Sequence, residues 1–237
     1  MDRTLRMSFT VCTRSGAYNE VVDVSEVVAA GWVGRRPEDL EKHIAEMQVL
    51  GISRPVTVPL FNRVANSRLT QRETIEVLGS HSSGEVEFVL VQSKGNLYVG
   101  VGSDHSDNRI ETFCMAAAKQ VYDKSIAPVL WRYEEVVSHW DKLILRSYIT
   151  VDNVRYLYQQ GPVDGVLHPE TLINNYAVQD GKLSEGAVLY GGTFSTQGGV
   201  RSGSRFEYEL EDPVLNRVIR HHYCVYELPF AQPLVKN

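Results

Sequence analysis

Between residues 74 and 102 the chain offers TIEVLG, EVEFVLVQ and LYVGVG, short runs of β-branched and apolar residues cut by Gly, Ser and Asn. This punctuation constrains the fold more than any other feature. Each run is too short for an independent helix, has the length and composition of a strand, and is followed by residues that make tight turns. The same texture appears at 5 to 12, in PVTVPLF at 55 to 61, and again at 143 to 151, 154 to 159, 187 to 191, 206 to 210 and 215 to 227. Helical spacing is confined to a few places. Over residues 37 to 50, Pro37 suits a first turn, Glu38 and Asp39 suit the N-terminal dipole, Leu40, Ile44 and Met47 share a face, and Gly51 ends the helix. Further helices are predicted at 110 to 121 and 133 to 141, with a short one after Pro169. Many short strands with few helices predict an α+β chain, a β-rich rolled sheet or barrel with peripheral helices. The 237 residues contain no repeat, low-complexity tract or long linker, so a single domain over 1–237 is expected.

Composition narrows the function classes. The net charge of -5 is modest and the basic residues are scattered, which argues against nucleic acid as a partner. Cys12, Cys114 and Cys224 are widely spaced, form no Cys-x-x-Cys pair and are odd in number, so a reducing, cytoplasmic setting is expected. No apolar run approaches the roughly 18 residues of a membrane span, and the apolar stretch near Met1 is too short for a secretion signal. A membrane partner is therefore not expected.

The strongest chemical signal is Glu85-Val86-Glu87. On a strand these two glutamates project from one side, followed on that side by Val89 and Val91, while Val86, Phe88 and Leu90 project from the other. Like charges at the end of an apolar track repel, and a divalent cation relieves that repulsion; a hydrated strand end is the alternative. About seventeen positions on, Asp104, His105, Ser106 and Asp107 follow a glycine-interrupted strand. Three carboxylates without a nearby cysteine suit Mg²⁺ or Mn²⁺, with either Asp104 or Asp107 as the third and His105 as a supporting group. On the first helix His43 and Glu46 stand three apart, so the carboxylate can orient the imidazole as a general base; the same spacing is also common on solvated helices. His221, His222 and Cys224 lie on a strand where neighbours face opposite ways, which favours a structural role.

Taken in order, these pieces resemble the fumarylacetoacetate hydrolase superfamily from about Gly34 to Arg220. GRRPEDLEKHIAEM followed by RPVTVPLFNR is similar to the family's Gly-Arg segment, His-x-x-Glu helix and Phe-x-Lys strand, with Arg63 where the family usually has Lys. Glu85-Val86-Glu87 is similar to its Glu-x-Glu metal strand, Asp104-His105-Ser106 to its Asp-x-Ser-x-Arg motif, KQVYDKSIAP to its Lys-x-Phe-Asp segment with Ala-Pro, and Gly192-Thr193 to its Gly-Thr loop. The chain departs from the pattern at Asn108, which stands in place of the motif's Arg unless Arg109 is reached by a one-residue shift, at Ser204, which stands in place of an acid, and in a shorter Glu87 to Asp104 spacing.

The resemblance implies that Glu85, Glu87 and Asp104 hold Mg²⁺ or Mn²⁺, and that His43 with Glu46 activates water. Lys119, Arg63, Gly192 and Thr193 would serve catalysis and substrate binding. It implies a cytoplasmic homodimeric hydrolase cleaving a carbon–carbon bond in a small β-diketo acid or acylpyruvate through a metal-stabilised enolate. A 2-oxo-acid lyase or isomerase (decarboxylase, hydratase or dehydratase) uses the same enolate, and a non-catalytic small-molecule-binding relative is the third reading, prompted by Asn108 and Ser204.

Overall fold

The computed structural model describes residues 3–49, 51, 53–177 and 181–229. Strands dominate it. The largest sheet runs in the order Gly16–Val24, Leu5–Thr13, Val129–Arg132, Asn96–Asp104, Val86–Ser93, Ala187–Tyr190, Glu26–Gly31 and Leu60–Val64. Lys124–Ile126 joins it by pairing with Asn96–Asp104. A second sheet orders Val154–Pro162, Ile144–Val151, Arg205–Asp212, Arg217–Leu228 and Thr74–Leu78.

The alternation in GEVEFVLV decides where the core lies. Val86, Phe88 and Leu90 pack with Val99 and Val101 from the large sheet and with Leu145, Ile149, Phe206 and Tyr208 from the second. This is the layer between the sheets. Val89 and Val91 point the other way, into a second cluster with Phe9, Val11, Val22, Tyr98 and Leu130 on the opposite face of the large sheet. A strand buried on both faces has no polar side, which is why EVEFVLV reads as a nearly continuous apolar run.

Among the described residues four α-helices frame the sheets: α1 Pro37–Val49, α2 Asn108–Phe113, α3 Met115–Val121 and α4 Pro169–Tyr176. The first and last follow the expected spans. The helix predicted over 110 to 121 is two, because Cys114 is extended (φ -156°, ψ 102°) and separates α2 from α3. The stretch at 133 to 141 forms two 3₁₀ turns, Tyr133–Glu135 and Val137–Lys142, around a non-helical His139. The strand predicted at 55 to 61 is displaced to Leu60–Val64, since Pro55 and Pro59 have no N–H for a ladder. Gly16–Val24 and Glu26–Gly31 are strands that sequence reasoning did not anticipate. No described helix is long and apolar enough to cross a membrane.

Candidate metal centre

Pairing register brings the acidic side chains together. Glu87 lies across from Gly102, and one step towards the strand ends the Asp104 N–H donates to the Glu85 carbonyl at 3.0 Å. Glu85 and Asp104 are thus neighbours across the pair, with Glu87 next along the same face. On the far side Lys124 pairs with Asp104, which adds a lysine to the row. All four belong to the face that carries Val89, Val91, Tyr98 and Ile126.

Oxygen atoms of Glu85, Glu87 and Asp104 lie within 4.8 Å of one another. Glu87 and Asp104 are buried and Glu85 is half-buried, so the cluster opens at Glu85. The Lys119 Nζ lies in its midst, 2.8 Å from Asp104 Oδ2, 3.2 Å from Glu85 Oε2 and 3.4 Å from Glu111 Oε1. The Lys124 Nζ lies 2.7 Å from Asp104 Oδ1 and also donates to the His105 carbonyl.

Charge is distributed unevenly over this cluster. Burial, then Asp104 and Glu85, push the Glu87 carboxyl well above its ordinary range, against the pull of Lys119 and the Gly192 N–H. Burial works against ionised Asp104 too, but Lys119 and Lys124 outweigh it and hold the carboxyl at about 2. The two lysines diverge. Burial disfavours both ammonium groups, yet three carboxylates keep Lys119 firmly charged, whereas for Lys124 burial and the repulsion of Lys119 outweigh Asp104 and the weaker pull of Glu85, and it is pushed down. Burial also raises the Glu111 carboxyl, with Lys119 opposing.

The remaining expected site residues have definite places. Gly192, at φ +88° where a side chain would be strained, turns its N–H onto Glu87 Oε2 at 2.6 Å. Thr193 Oγ1 donates to the Val86 carbonyl at 2.8 Å and accepts from Gln159 Nε2 at 2.8 Å. Both are engaged with the strand that carries the glutamates. Arg63 lies on the edge strand Leu60–Val64, where its Nη1 is 3.4 Å from Glu26 and 3.2 Å from the Tyr176 hydroxyl. Its carbonyl accepts from Gln120 on α3, the residue after Lys119. The backbone of α1 is described, but the side chains of His43 and Glu46 lie outside the described residues.

Asp107 caps α2, accepting from the Arg109 and Ile110 N–H groups at 2.9 Å, and is not among the described carboxylates that converge with Glu85 and Glu87. His105 is buried between Tyr122 and Tyr223, with Nδ1 2.8 Å from the Tyr223 hydroxyl. Burial, then Lys124, push its imidazole down to about 3, so it is neutral. Two members of the cluster escaped sequence reasoning, Lys124 and Glu111. No local pattern in the sequence marks either residue as a member of the cluster.

A family model described as protein of unknown function, DUF2848, matches residues 30–223. The chain belongs to the DUF2848 family. No curated protein matches it. Among solved structures, this DUF2848 protein is similar to 2-keto-3-deoxy-D-arabinonate dehydratase complexed with magnesium and 2,5-dioxopentanoate, at 16% identity and TM-score 0.62 over 92% of this chain and 78% of that one. It is similar to a protein assigned as a fumarylacetoacetate isomerase/hydrolase from Oleispira antarctica, at 13% identity and TM-score 0.63 over 92% and 98%. A protein assigned to the fumarylacetoacetate hydrolase family from Yersinia pestis CO92 matches at 17% identity and TM-score 0.60 over 84% and 93%. These likenesses establish that this DUF2848 protein has the mostly β fold of fumarylacetoacetate hydrolase proteins.

Proposed function

We propose that this DUF2848 protein is a divalent-cation-dependent enzyme that processes a small 2-oxo acid, with Glu85, Glu87 and Asp104 as the ligands. The observation that carries the reading is the convergence of those carboxylates within 4.8 Å at the end of an apolar face. The donor set fits a hard cation. It consists of carboxylate oxygens, and the Glu87 carboxyl resists ionisation in the absence of a further positive charge. Bound there, Mg²⁺ or Mn²⁺ supplies Lewis acidity toward the oxygens of an oxo acid.

The chain's own groups then divide the work. Gly192 and Thr193 hold the glutamate strand in place through Glu87 and Val86. Lys124 fixes one oxygen of Asp104 from behind. Lys119, kept charged by its carboxylate neighbours, offers an ammonium to a developing oxyanion, and Glu111 stands beside it as a carboxyl that retains its proton more readily than usual. His43, oriented by Glu46 on α1, is proposed to take a proton from water. In the hydrolytic reading that water adds to a carbonyl of an acylpyruvate or β-diketo acid, and the carbon–carbon bond breaks to give a carboxylic acid and the enolate of a 2-oxo acid. The dehydratase reading is favoured by the structural neighbour bound to magnesium and 2,5-dioxopentanoate; there His43 removes a proton and an acid such as Glu111 assists loss of hydroxide.

Titration of Mn²⁺ into the protein and its Glu85→Ala/Glu87→Ala variant tests the metal reading. The wild type should bind and the variant should not; equal binding would refute it. Turnover of a panel of acylpyruvates and 2-oxo acids in ¹⁸O-labelled water then separates the reactions. Label in a product carboxylate supports hydrolysis, and loss of turnover in His43→Gln is expected in either case.

A further inference from the structure

The segment from Gly191 to Ser204 is tied at its start to the glutamate strand and near its end to the residues that precede that strand. Its first residues hold Glu87 and Val86, and towards its close the Ser202 hydroxyl donates to the Ser80 and Ser82 carbonyls, each at 2.7 Å. Between those anchors Gly198 and Gly199, at φ +78° and +80°, fold the chain back on itself. The turn presents Arg201. Its N–H donates to the Tyr158 hydroxyl at 3.1 Å, and that hydroxyl lies 2.8 Å from Ser83 Oγ, two residues before Glu85. Arg201 is thereby linked through Tyr158 and Ser83 to the segment that leads into Glu85, and the Tyr158 hydroxyl feels the charges of both Glu85 and Arg201.

Its guanidinium is placed but not neutralised. Nη1 bonds to the Gln197 carbonyl at 2.9 Å and reaches the Gly199 carbonyl at 3.4 Å, while Cζ lies 5.1 Å above the Tyr158 ring and 5.6 Å from that of Tyr156. Among the described residues no carboxylate lies within ion-pair distance of it, unlike Arg63, which is committed to Glu26. Neutral carbonyls and ring faces fix a guanidinium's position while leaving its forked donors able to take a carboxylate in a bidentate pair.

We propose that Arg201 is a specificity-determining residue of this site, receiving a second carboxylate at the end of the oxo acid remote from the cation. The proposal rests on the metal and oxo-acid reading above and deepens it, making the substrate class a 2-oxo dicarboxylic acid. The rival role is a clamp that only braces the Gly198-Gly199 turn, and the two roles respond differently to substitution. Arg201→Gln keeps an N–H donor for the Gln197 carbonyl and removes the charge.

The test uses Mn²⁺-loaded protein titrated with 2-oxoglutarate and 2-oxobutanoate, which share the oxo-acid head and differ in the distal carboxylate. Arg201→Gln should weaken 2-oxoglutarate by about tenfold to a hundredfold, the span of a charge-assisted hydrogen bond, and leave 2-oxobutanoate within about twofold. Arg201→Lys should retain part of the preference. Equal weakening of both acids, or no change in either, overturns the proposal while leaving the metal reading intact. Failure of the wild type to bind Mn²⁺, or binding of Mn²⁺ without affinity for either acid, overturns the underlying reading and the proposal together.

Discussion

Asp104 and Glu209 are each flanked by two cations, yet the two arrangements differ in kind. Asp104 lies 2.8 Å from Lys119 and 2.7 Å from Lys124 with its side chain 1% exposed, and both lysines are buried with it. Glu209 lies 3.0 Å from Arg146 and 2.8 Å from Arg220 on the second sheet, and Arg220 is 69% exposed. Burial opposes ionisation of both carboxyls, and in both the cations prevail and lower them. What separates them is the fate of the partners. Water solvates Arg220 whether or not Glu209 is present, so that pair gains little beyond hydration. The fully buried Lys124 ammonium has an Asp104 oxygen and the His105 carbonyl as its partners, so each member of the Asp104 group depends on the others. A buried, mutually dependent group of excess carboxylates and two lysines is a poor way to gain stability and a good way to hold oxygens in fixed positions for a cation.

The largest expected effect comes from breaking the buried group. Lys124→Met preserves volume but leaves an oxygen of Asp104 and the His105 carbonyl without their ammonium donor. A loss of about 3–5 kcal/mol is expected in urea unfolding. A loss below about 1 kcal/mol would show that the buried group behaves like the surface one and would remove the contrast.

How much of that contrast was readable beforehand depends on whether contacts are local. Glu85 and Glu87 were legible as one face because strand alternation is a local property, and Asp104 because it ends a strand beside glycines. Lys124 was not: in Tyr-Asp-Lys-Ser-Ile nothing local distinguishes a buried lysine from a solvated one. Its burial follows from register with Asp104 and from Leu69–Thr70 on its other side. That Asp104 converges with the glutamates while Asp107 caps a helix likewise becomes visible only in the structure. The break at Cys114 has no Gly or Pro to announce it. The strand Gly16–Val24 was hidden because its first half is exposed and polar, and it is specified by full-length pairing with Leu5–Thr13.

A second, smaller effect should appear with pH and metal. Burial, then Asp104 and Glu85, raise the Glu87 carboxyl above its ordinary 4.5 in the folded protein. A raised carboxyl contributes stability that is present below its unfolded value and lost as pH rises through its folded value. The metal-free protein should therefore lose stability over that rise, while Mn²⁺, on the proposed ligation by ionised Glu87, should bind more tightly over the same rise. At a hundredfold excess over Kd the cation contributes about 2.7 kcal/mol. The Tm difference between loaded and metal-free protein should widen from about pH 5 to pH 8 and vanish in Glu85→Ala/Glu87→Ala. A difference independent of pH would sever the link between Glu87 and the cation. Asp104 acts with the opposite sign at the acid end: its carboxyl, lowered from 3.8 to about 2, withdraws stability as pH falls through that interval.

The smallest effect belongs to the surface group and sharpens the comparison from the other side. Arg220→Ala removes one of two guanidinium groups from Glu209, leaving Arg146 at 3.0 Å and exposing no buried charge. The cost should stay below about 1 kcal/mol and shrink further in high salt, since the interaction is screened where Arg220 meets water. Arg146 is the more enclosed partner and also engages Glu211, so Arg146→Ala should cost more than Arg220→Ala. The double variant should then exceed the sum of the two, because only there does Glu209, 11% exposed, lose both cations. If Arg220→Ala alone matched Lys124→Met, burial of the partners would not be what distinguishes the metal centre from the sheet surface, and the dependence of Asp104 on Lys124 would need another cause.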